Sequence, residues 1–251
     1  MEKTYSNRVE SVNPYSGSGS KREEIEQMFN NISPRYDLLN SLLSIGIDKV
    51  WRNKLSALVD LKHPRHILDV ATGTAELALT LARDTEAKIK GVDISAGMIE
   101  IGRKKVLQRK LHNRIDLIEA DSLQLPFEDN TYDAVTVAFG VRNFASLEKG
   151  ITEMLRVLKP GHSLFVLEFS NTKGTWINPL FTFYFRFILP SIGRFISKDK
   201  GAYEYLPNSV AAFPTGKEFC ELLLFCGASS VKMRKLTAGI VTIYSAEKKS
   251  V

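Results

Sequence analysis

The chain has 251 residues, 44% of them hydrophobic and 25% charged, an ordinary globular composition with enough length to bury a core. Its net charge of +6 directs the search for partners toward anionic ones, nucleic acid or a membrane surface. The two cysteines, Cys220 and Cys226, match no metal-ligand spacing and exclude a disulfide framework, and the first twenty residues lack the apolar run of a secretory signal.

Residues 1–20 are expected to be a flexible tail, and 21–251 a single domain. A helical cap spans 21–60: KREEIEQMFNNIS carries Ile25, Met28 and Phe29 at helical spacing. Ser33-Pro34 reads as the cap and first turn of a second helix that Gly46 ends, and a third covers about 50–59. The rhythm then changes. HILDV (66–70), KIKGVD (88–93), RIDLIEAD (114–121), YDAVTVAF (132–139) and HSLFVLEFS (162–170) read as strands. Between them lie the helical AELALTLARD, SAGMIEIGRKKVLQRK and SLEKGITEMLRVLKPG, the last stopped by Pro160-Gly161. This alternation predicts an α/β fold, with a mostly parallel sheet covered on both faces and a core over 61–170. A Phe-rich insertion occupies 171–213, and a final helix and hairpin complete 214–251.

Ligands of open α/β sheets bind at the carboxyl ends of the strands. The first strand leads into LDVATGTAEL, placing Asp69, Thr72, Gly73 and Thr74 at a tight turn before a helix. A dinucleotide fingerprint needs a glycine where this chain has Ala75, which argues against a pyrophosphate there. Asp93, after the second strand, is placed to accept from both hydroxyls of a ribose, although alone it would also serve as a helix-capping acid. Asp121-Ser122, after the third, offers an acceptor for an adenine amine, with LPF (125–127) as apolar neighbours. A ribose acceptor and an adenine acceptor without a pyrophosphate grip suit S-adenosyl-L-methionine better than NAD.

These segments, with LDVATGT, GVDISAGMI, EADSLQLPFEDNTYD and MLRVLKPGHSLFVLEFS, resemble the Rossmann-like class I S-adenosylmethionine-dependent methyltransferases. More narrowly, MFNNISPRYDLLNSLLSIGIDKVWR, FGVRNF and LTAGIV resemble the menaquinone/ubiquinone biosynthesis C-methyltransferases over residues 24–245. The resemblance implies a seven-stranded sheet and methyl transfer from S-adenosyl-L-methionine to a ring carbon of a prenylated quinol, with demethylmenaquinol as the first expected substrate and a polyprenyl benzoquinol as the alternative. It puts the cofactor residues at Thr74, Asp93, Asp121 and Ser122. Two departures stand out: Ala75-Glu76 where Gly-Asp is common, and Ala138 where some relatives carry Ser.

Such an enzyme must align the donor and make the acceptor carbon electron-rich. Phenols ionise near pH ~10, so forming a phenolate at neutral pH costs about 4 kcal/mol at roughly 1.4 per unit. Arg142 and Asn143, just beyond the fourth strand, and Tyr36 and Asp37, on an amino-terminal helix, are the candidates to assist. Arg142 is expected to stabilise the phenolate, and Asp37, or a water it holds, to take the proton. No histidine suits the role, because all four precede or begin strands, opposite the site. No metal is expected. FGVRN replaces the acid/Asn-Pro-Pro-aromatic loop of adenine-modifying methyltransferases, so nucleic acid is not the expected substrate. A non-catalytic scaffold for quinone synthesis remains the contrasting reading, and a homodimer stays open.

PLFTFYFRFILPSIGRF (179–195) is too short and too interrupted by Arg186, Arg194 and Pro190 to be the ~20-residue span a bilayer requires. It reads as a lid or groove for the prenyl chain. Together with the charge, it implies transient contact with the inner face of the cell membrane by a cytoplasmic protein.

Overall fold

The computed structural model describes residues 7–15, 19–44, 46–170 and 200–250. The Phe-rich stretch 179–195 lies outside them.

A short helix, α1 (Asn7–Glu10), is followed by α2 (Lys21–Ile32), α3 (Tyr36–Ser44) and α4 (Ile47–Asp60). Then come β1 (His66–Val70), α5 (Glu76–Asp84), β2 (Lys88–Asp93), α6 (Ala96–Gln108), β3 (Ile115–Glu119) and β4 (Tyr132–Ala138). The chain closes with α7 (Leu147–Val157), β5 (Leu158–Phe169), α8 (Lys200–Ala212), α9 (Lys217–Phe225), β6 (Ala228–Leu236) and β7 (Val241–Lys248). The seven strands form one sheet in the order β3-β2-β1-β4-β5-β7-β6. β1 to β5 are mutually parallel, and β7 runs antiparallel to both β5 and β6.

Strand alternation divides the core between the two faces of this sheet. Leu68, Val70, Val135, Val137, Leu164 and Val166 face α7 and α9, against Ile151, Met154 and Phe219. Ile67, Ile89, Leu117, Ala134, Phe165 and Leu167 face the other way, against Trp51 and Leu55 of α4, Leu77 of α5 and Ile99 of α6. The central strands are therefore apolar on both sides, as a parallel sheet requires. The order reverses at β1, between the outward run to β3 and the run through β4, and the strand ends there define the crevice.

Three local expectations change. Residues 7–15 are packed, not free: Val9 is fully buried in the main core, Glu10 accepts from the Leu147 backbone N–H, and Lys21 holds the Val9 carbonyl. A tail with one well-placed valine and two ionic anchors carries no periodicity to show that it docks. Ser33 does not cap a new helix. It sits in right-handed backbone within a single helical turn between α2 and α3, and its hydroxyl donates back to the Asn30 carbonyl. The capping signal is Ser20, which forms a capping box with Glu23. Pro160-Gly161 is a bulge within β5, where pairing with β4 shifts register, because α7 has already ended at Val157. Both cysteines are free and half-buried.

Candidate active site

The turn after β1 is held by its own side chains. Asp69, buried in the strand, accepts from the Thr72 hydroxyl (2.6 Å) and from the Thr136 hydroxyl of β4 (2.7 Å). Burial pushes its carboxyl up to about 6 against those hydrogen bonds. The next residues adopt left-handed backbone at Ala71, Gly73 and Ala75, which coils the turn tightly in front of α5. Gly140, beyond β4, packs against this turn so closely that a Cβ on it would lie 2.5 Å from that of Ala71. The loops after β1 and β4 thus interlock as one floor.

Asp93 joins that floor to the loop after β2. Its two oxygens accept from the backbone N–H groups of Gly73 (2.8 Å) and Ser95 (2.9 Å), leaving further lone pairs for a ligand. Burial raises this carboxyl too, to about 6. Asp121 accepts from the Leu123 N–H (2.8 Å) and, on its other oxygen, from Arg22 Nε of α2 (2.7 Å). Arg22 was not expected here, since nothing in its sequence context marks it; a ligand amine reaching Asp121 shares the carboxylate with this guanidinium. Gly73, Asp93, Asp121 and Ser122 line a slot together with Ile94, Met98 and Leu123. Asn30 of α2 clamps the far side, accepting from the Ser95 hydroxyl and the Gly97 N–H.

A second, larger cavity of about 800 Å³ opens beside the slot, under α3, α4 and α8. The two share Phe29, Tyr36, Ala71, Gly73, Ala138, Phe139 and Asn143 as a common wall. Tyr36 stands over the turn, with its ring 3.9 Å from where a Cβ on Gly73 would lie. Burial raises its hydroxyl, countered by a hydrogen bond with Asn40 and by Arg142. Ala138 presents only a methyl to this wall, so the side-chain contact available to a serine there is missing. Trp51, Phe139 and Phe169 form an aromatic group on the cavity side, with ring centroids 4.8–6.1 Å apart. The Trp51 indole donates to the Thr237 hydroxyl (2.7 Å), which ties the LTAGIV segment to α4.

The four predicted catalytic residues all line this cavity. Arg142 is buried: one terminal nitrogen donates to the Phe139 carbonyl (2.6 Å) and to Glu168 (2.8 Å), and the guanidinium lies over the Phe169 ring. Glu168, on β5, is fully buried, and burial raises its carboxyl against the pull of Arg142. Sequence reasoning missed it inside the apolar run LFVLEF. Asp37 is engaged on both oxygens, by the Thr74 hydroxyl and by Lys105 of α6, each at 2.5 Å. Thr74 and Asp69 line the cavity, not the slot. Among the described residues no histidine lines either space, and no cluster of His, Cys, Asp or Glu is fit to hold a metal.

A parallel sheet continued by an antiparallel β7, with a tight turn after β1 and an acid after β2, is the class I S-adenosylmethionine-dependent methyltransferase fold. A Thermotoga maritima methyltransferase of known structure superposes with a TM-score of 0.64 at 17% identity, over 90% of this chain and 100% of that one. The Haemonchus contortus phosphoethanolamine N-methyltransferase 2, solved with S-adenosyl-L-methionine, superposes at 0.59 with 15% identity, over 79% and 53% of the two chains. The sequence model of the ubiE/COQ5 methyltransferase family matches residues 17–248, and the chain belongs to that family. Demethylmenaquinone methyltransferase of Bacteroides fragilis is 43% identical over 95% of this chain and 98% of its own. Ubiquinone/menaquinone biosynthesis C-methyltransferase of Geobacter sulfurreducens is 44% identical over 91% of this chain and 90% of its own.

The protein is therefore an S-adenosylmethionine-dependent methyltransferase, and the slot fits its cofactor. Asp93 retains acceptor capacity beside a glycine with no side chain to obstruct the approach, and Ile94, Met98 and Leu123 supply apolar walls.

Proposed function

We propose that this enzyme C-methylates the ring of a prenylated quinol, with demethylmenaquinol as the substrate, and that the reaction takes place at the wall shared by slot and cavity. The observation that carries this reading is the shared wall itself. A cavity of about 800 Å³, lined by Trp51, Phe139 and Phe169 and opening onto the nucleotide slot, suits a flat aromatic acceptor with an apolar tail. The relatives' names support a quinone-type acceptor, demethylmenaquinone for one and ubiquinone or menaquinone precursors for the other.

When bound, the cofactor supplies an electrophilic methyl group on sulfonium sulfur. Asp93 holds the ribose, and Asp121 and Ser122 receive the adenine. Tyr36 and Asn143, common to both spaces, fix the ring where they meet. Arg142 stabilises the quinol as its phenolate, which raises electron density at the adjacent unsubstituted ring carbon. The ring carbon takes the methyl group while the sulfur keeps the bonding pair; the ring carbon then gives up its proton and the phenolate oxygen takes one back, restoring the aromatic quinol. One proton is released overall. Both oxygens of Asp37 are engaged, so we assign it to tying α3 to the turn after β1 and to α6, and the proton leaves through water in the open cavity.

The acceptor is a lipid, and the rim of the cavity supports delivery from a membrane surface. Ile47 and Lys49 line the cavity, and Leu38, Ile47 and Val50 of the helices α3 and α4 are exposed apolar side chains. Among the described residues no helix is long and apolar enough to cross a membrane.

Transfer of labelled methyl to short-chain naphthoquinol and benzoquinol acceptors, assayed side by side, tests the reading. Naphthoquinol labelling at a ring carbon is expected; labelling on oxygen, or of neither acceptor, refutes it.

A further inference from the structure

Buried polar atoms are nearly always paired, because an unmet group costs free energy comparable to a lost hydrogen bond. Among the described residues five buried side-chain atoms lack a partner, and three of them line the acceptor cavity: Arg142 Nε, Asn143 Oδ1 and the Tyr205 hydroxyl. Arg142 and Asn143 belong to the turn after β4. Tyr205 is on α8, far along the chain and outside the segments that mark the cofactor slot. Three unmet groups from two elements converging on one cavity are a ligand-binding arrangement, not scattered packing faults.

Their chemistry is specific. Arg142 Nε can only donate, and its neighbouring terminal nitrogen is already committed to Glu168 and the Phe139 carbonyl. The Tyr205 side chain is almost wholly buried against Ile25 and Met28 of α2, so that face of the ring meets only apolar groups. The charged groups that act on its hydroxyl are Arg142 and Glu168, and burial keeps it protonated well above the ordinary tyrosine range. It is therefore a neutral donor and not a base. The other ionisable groups lining the cavity are Tyr36 and Asp37 of α3, Asp48, Lys49 and Arg52 of α4, and Asp69, Glu76, Arg83 and Arg109; Asp48 pairs with Arg52, and Lys105 bridges Asp37 and Glu76.

We propose that the Tyr205 hydroxyl and Arg142 Nε donate together to one quinol oxygen, forming a two-donor oxyanion site, while Asn143 Oδ1 accepts from a substrate hydroxyl. This inference rests on the quinol reading above and adds a residue that contacts substrate. A fixed donor in a buried site acts on the charge that develops in the transition state, and removing one such donor costs about 10²–10³ in turnover. Tyr205 is held in place for this: Gly201, one helical turn earlier, packs so closely on residues 14–15 that a Cβ there would lie 2.7 Å from Tyr15 Cε1. The docked amino-terminal segment thus fixes the start of α8.

Tyr205→Phe removes the donor and keeps the ring. It is expected to lower kcat on a short-chain naphthoquinol about 100-fold, with the calorimetric affinity for S-adenosyl-L-methionine unchanged. The acidic limb of the pH–rate profile should move upward by at least one unit, since the bound phenol becomes harder to ionise. A second readout needs no turnover: 2-naphthol bound to the wild type should show its ionisation midpoint, read by absorbance, shifted below that in Tyr205→Phe. A packing role would lower stability but leave both midpoints in place, and that result overturns the assignment. Full activity in Tyr205→Phe overturns it as well. A wild type that methylates no quinol overturns the functional reading, and this inference falls with it.

Discussion

The two halves of the active site are built differently. The cofactor slot is made chiefly of backbone and of acids at strand ends: Asp93 accepts from two main-chain N–H groups, and Asp121 from another. The acceptor cavity is made mostly of side chains from the helices α2 to α5 and α8 and from the ends of β4 and β5, with an ion pair behind its wall and unmet polar atoms on it. A slot built on strand ends is fixed once the sheet forms. A cavity walled by helices separated by most of the chain depends on how those helices dock. On the proposed reading the slot carries the general chemistry of methyl donation, and the cavity decides which acceptor receives it.

The sharpest test of this division is Arg142. Arg142→Ala leaves the fully buried Glu168 without its cation, and breaking a buried pair in this way costs about 3–5 kcal/mol. A simple loss of activity would then be ambiguous. Adding Glu168→Gln removes the stranded charge, so the double variant should recover most of the lost thermal stability. Turnover should stay down about 10²–10³-fold, while S-adenosyl-L-methionine still binds within twofold of the wild-type affinity. If the double variant regains turnover together with stability, Arg142 is scaffold and the cavity does not polarise its acceptor.

Asp93→Ala probes the other half. On the proposed reading it removes the acceptor for two ribose hydroxyls; hydrogen bonds to a charged group contribute about 1.5–3 kcal/mol each, so the cofactor should bind at least about 100-fold more weakly by calorimetry. 2-Naphthol binding in the cavity should change less than twofold. Equal losses at both ligands would mean that the shared wall is one cooperative unit, and the division drawn above would fail.

The same contrast explains what could be read from the sequence. Strands, their parallel order and the acids after β2 and β3 follow from apolar runs and strand-end positions, which are local patterns. Arg142 and Asn143 were legible because they directly follow a strand. Glu168 was not, since a carboxylate on the buried face of LFVLEF looks like an ordinary strand residue until its partner 26 positions away is in place. Arg22 and Tyr205 were hidden for a related reason. Each reaches the site from a helix whose docking is set by scattered contacts: Asn30 of α2 against the start of α6 for one, and Tyr205 of α8 against Ile25 and Met28 of α2 for the other. The docked segment at 7–15 belongs to the same class, with Val9 as its anchor in the main core.

Asp69 lies between the two halves, and its variant should have the smallest effect on catalysis. Both of its oxygens accept from threonine hydroxyls, and a hydroxyl can rotate to accept instead. Asp69→Asn can therefore keep both contacts, one of them reversed, while the buried charge disappears. The sign of the pH effect follows from the raised carboxyl. With a folded value of about 6 against an ordinary 3.8, the native state binds more protons than the unfolded chain between those pH values. Stability from this group is full below about pH 4 and is lost as pH rises through 6. At roughly 1.4 kcal/mol per unit the difference is about 3 kcal/mol, with Asp93 contributing in the same direction. Melting temperature measured from pH 4 to 8 should thus fall less steeply in Asp69→Asn than in the wild type, and the variant should melt a few degrees higher at pH 7.5. Its affinity for S-adenosyl-L-methionine should stay within about fivefold, equivalent to roughly 1 kcal/mol. A variant that melts lower than the wild type at every pH would show that the carboxylate itself holds the turn together.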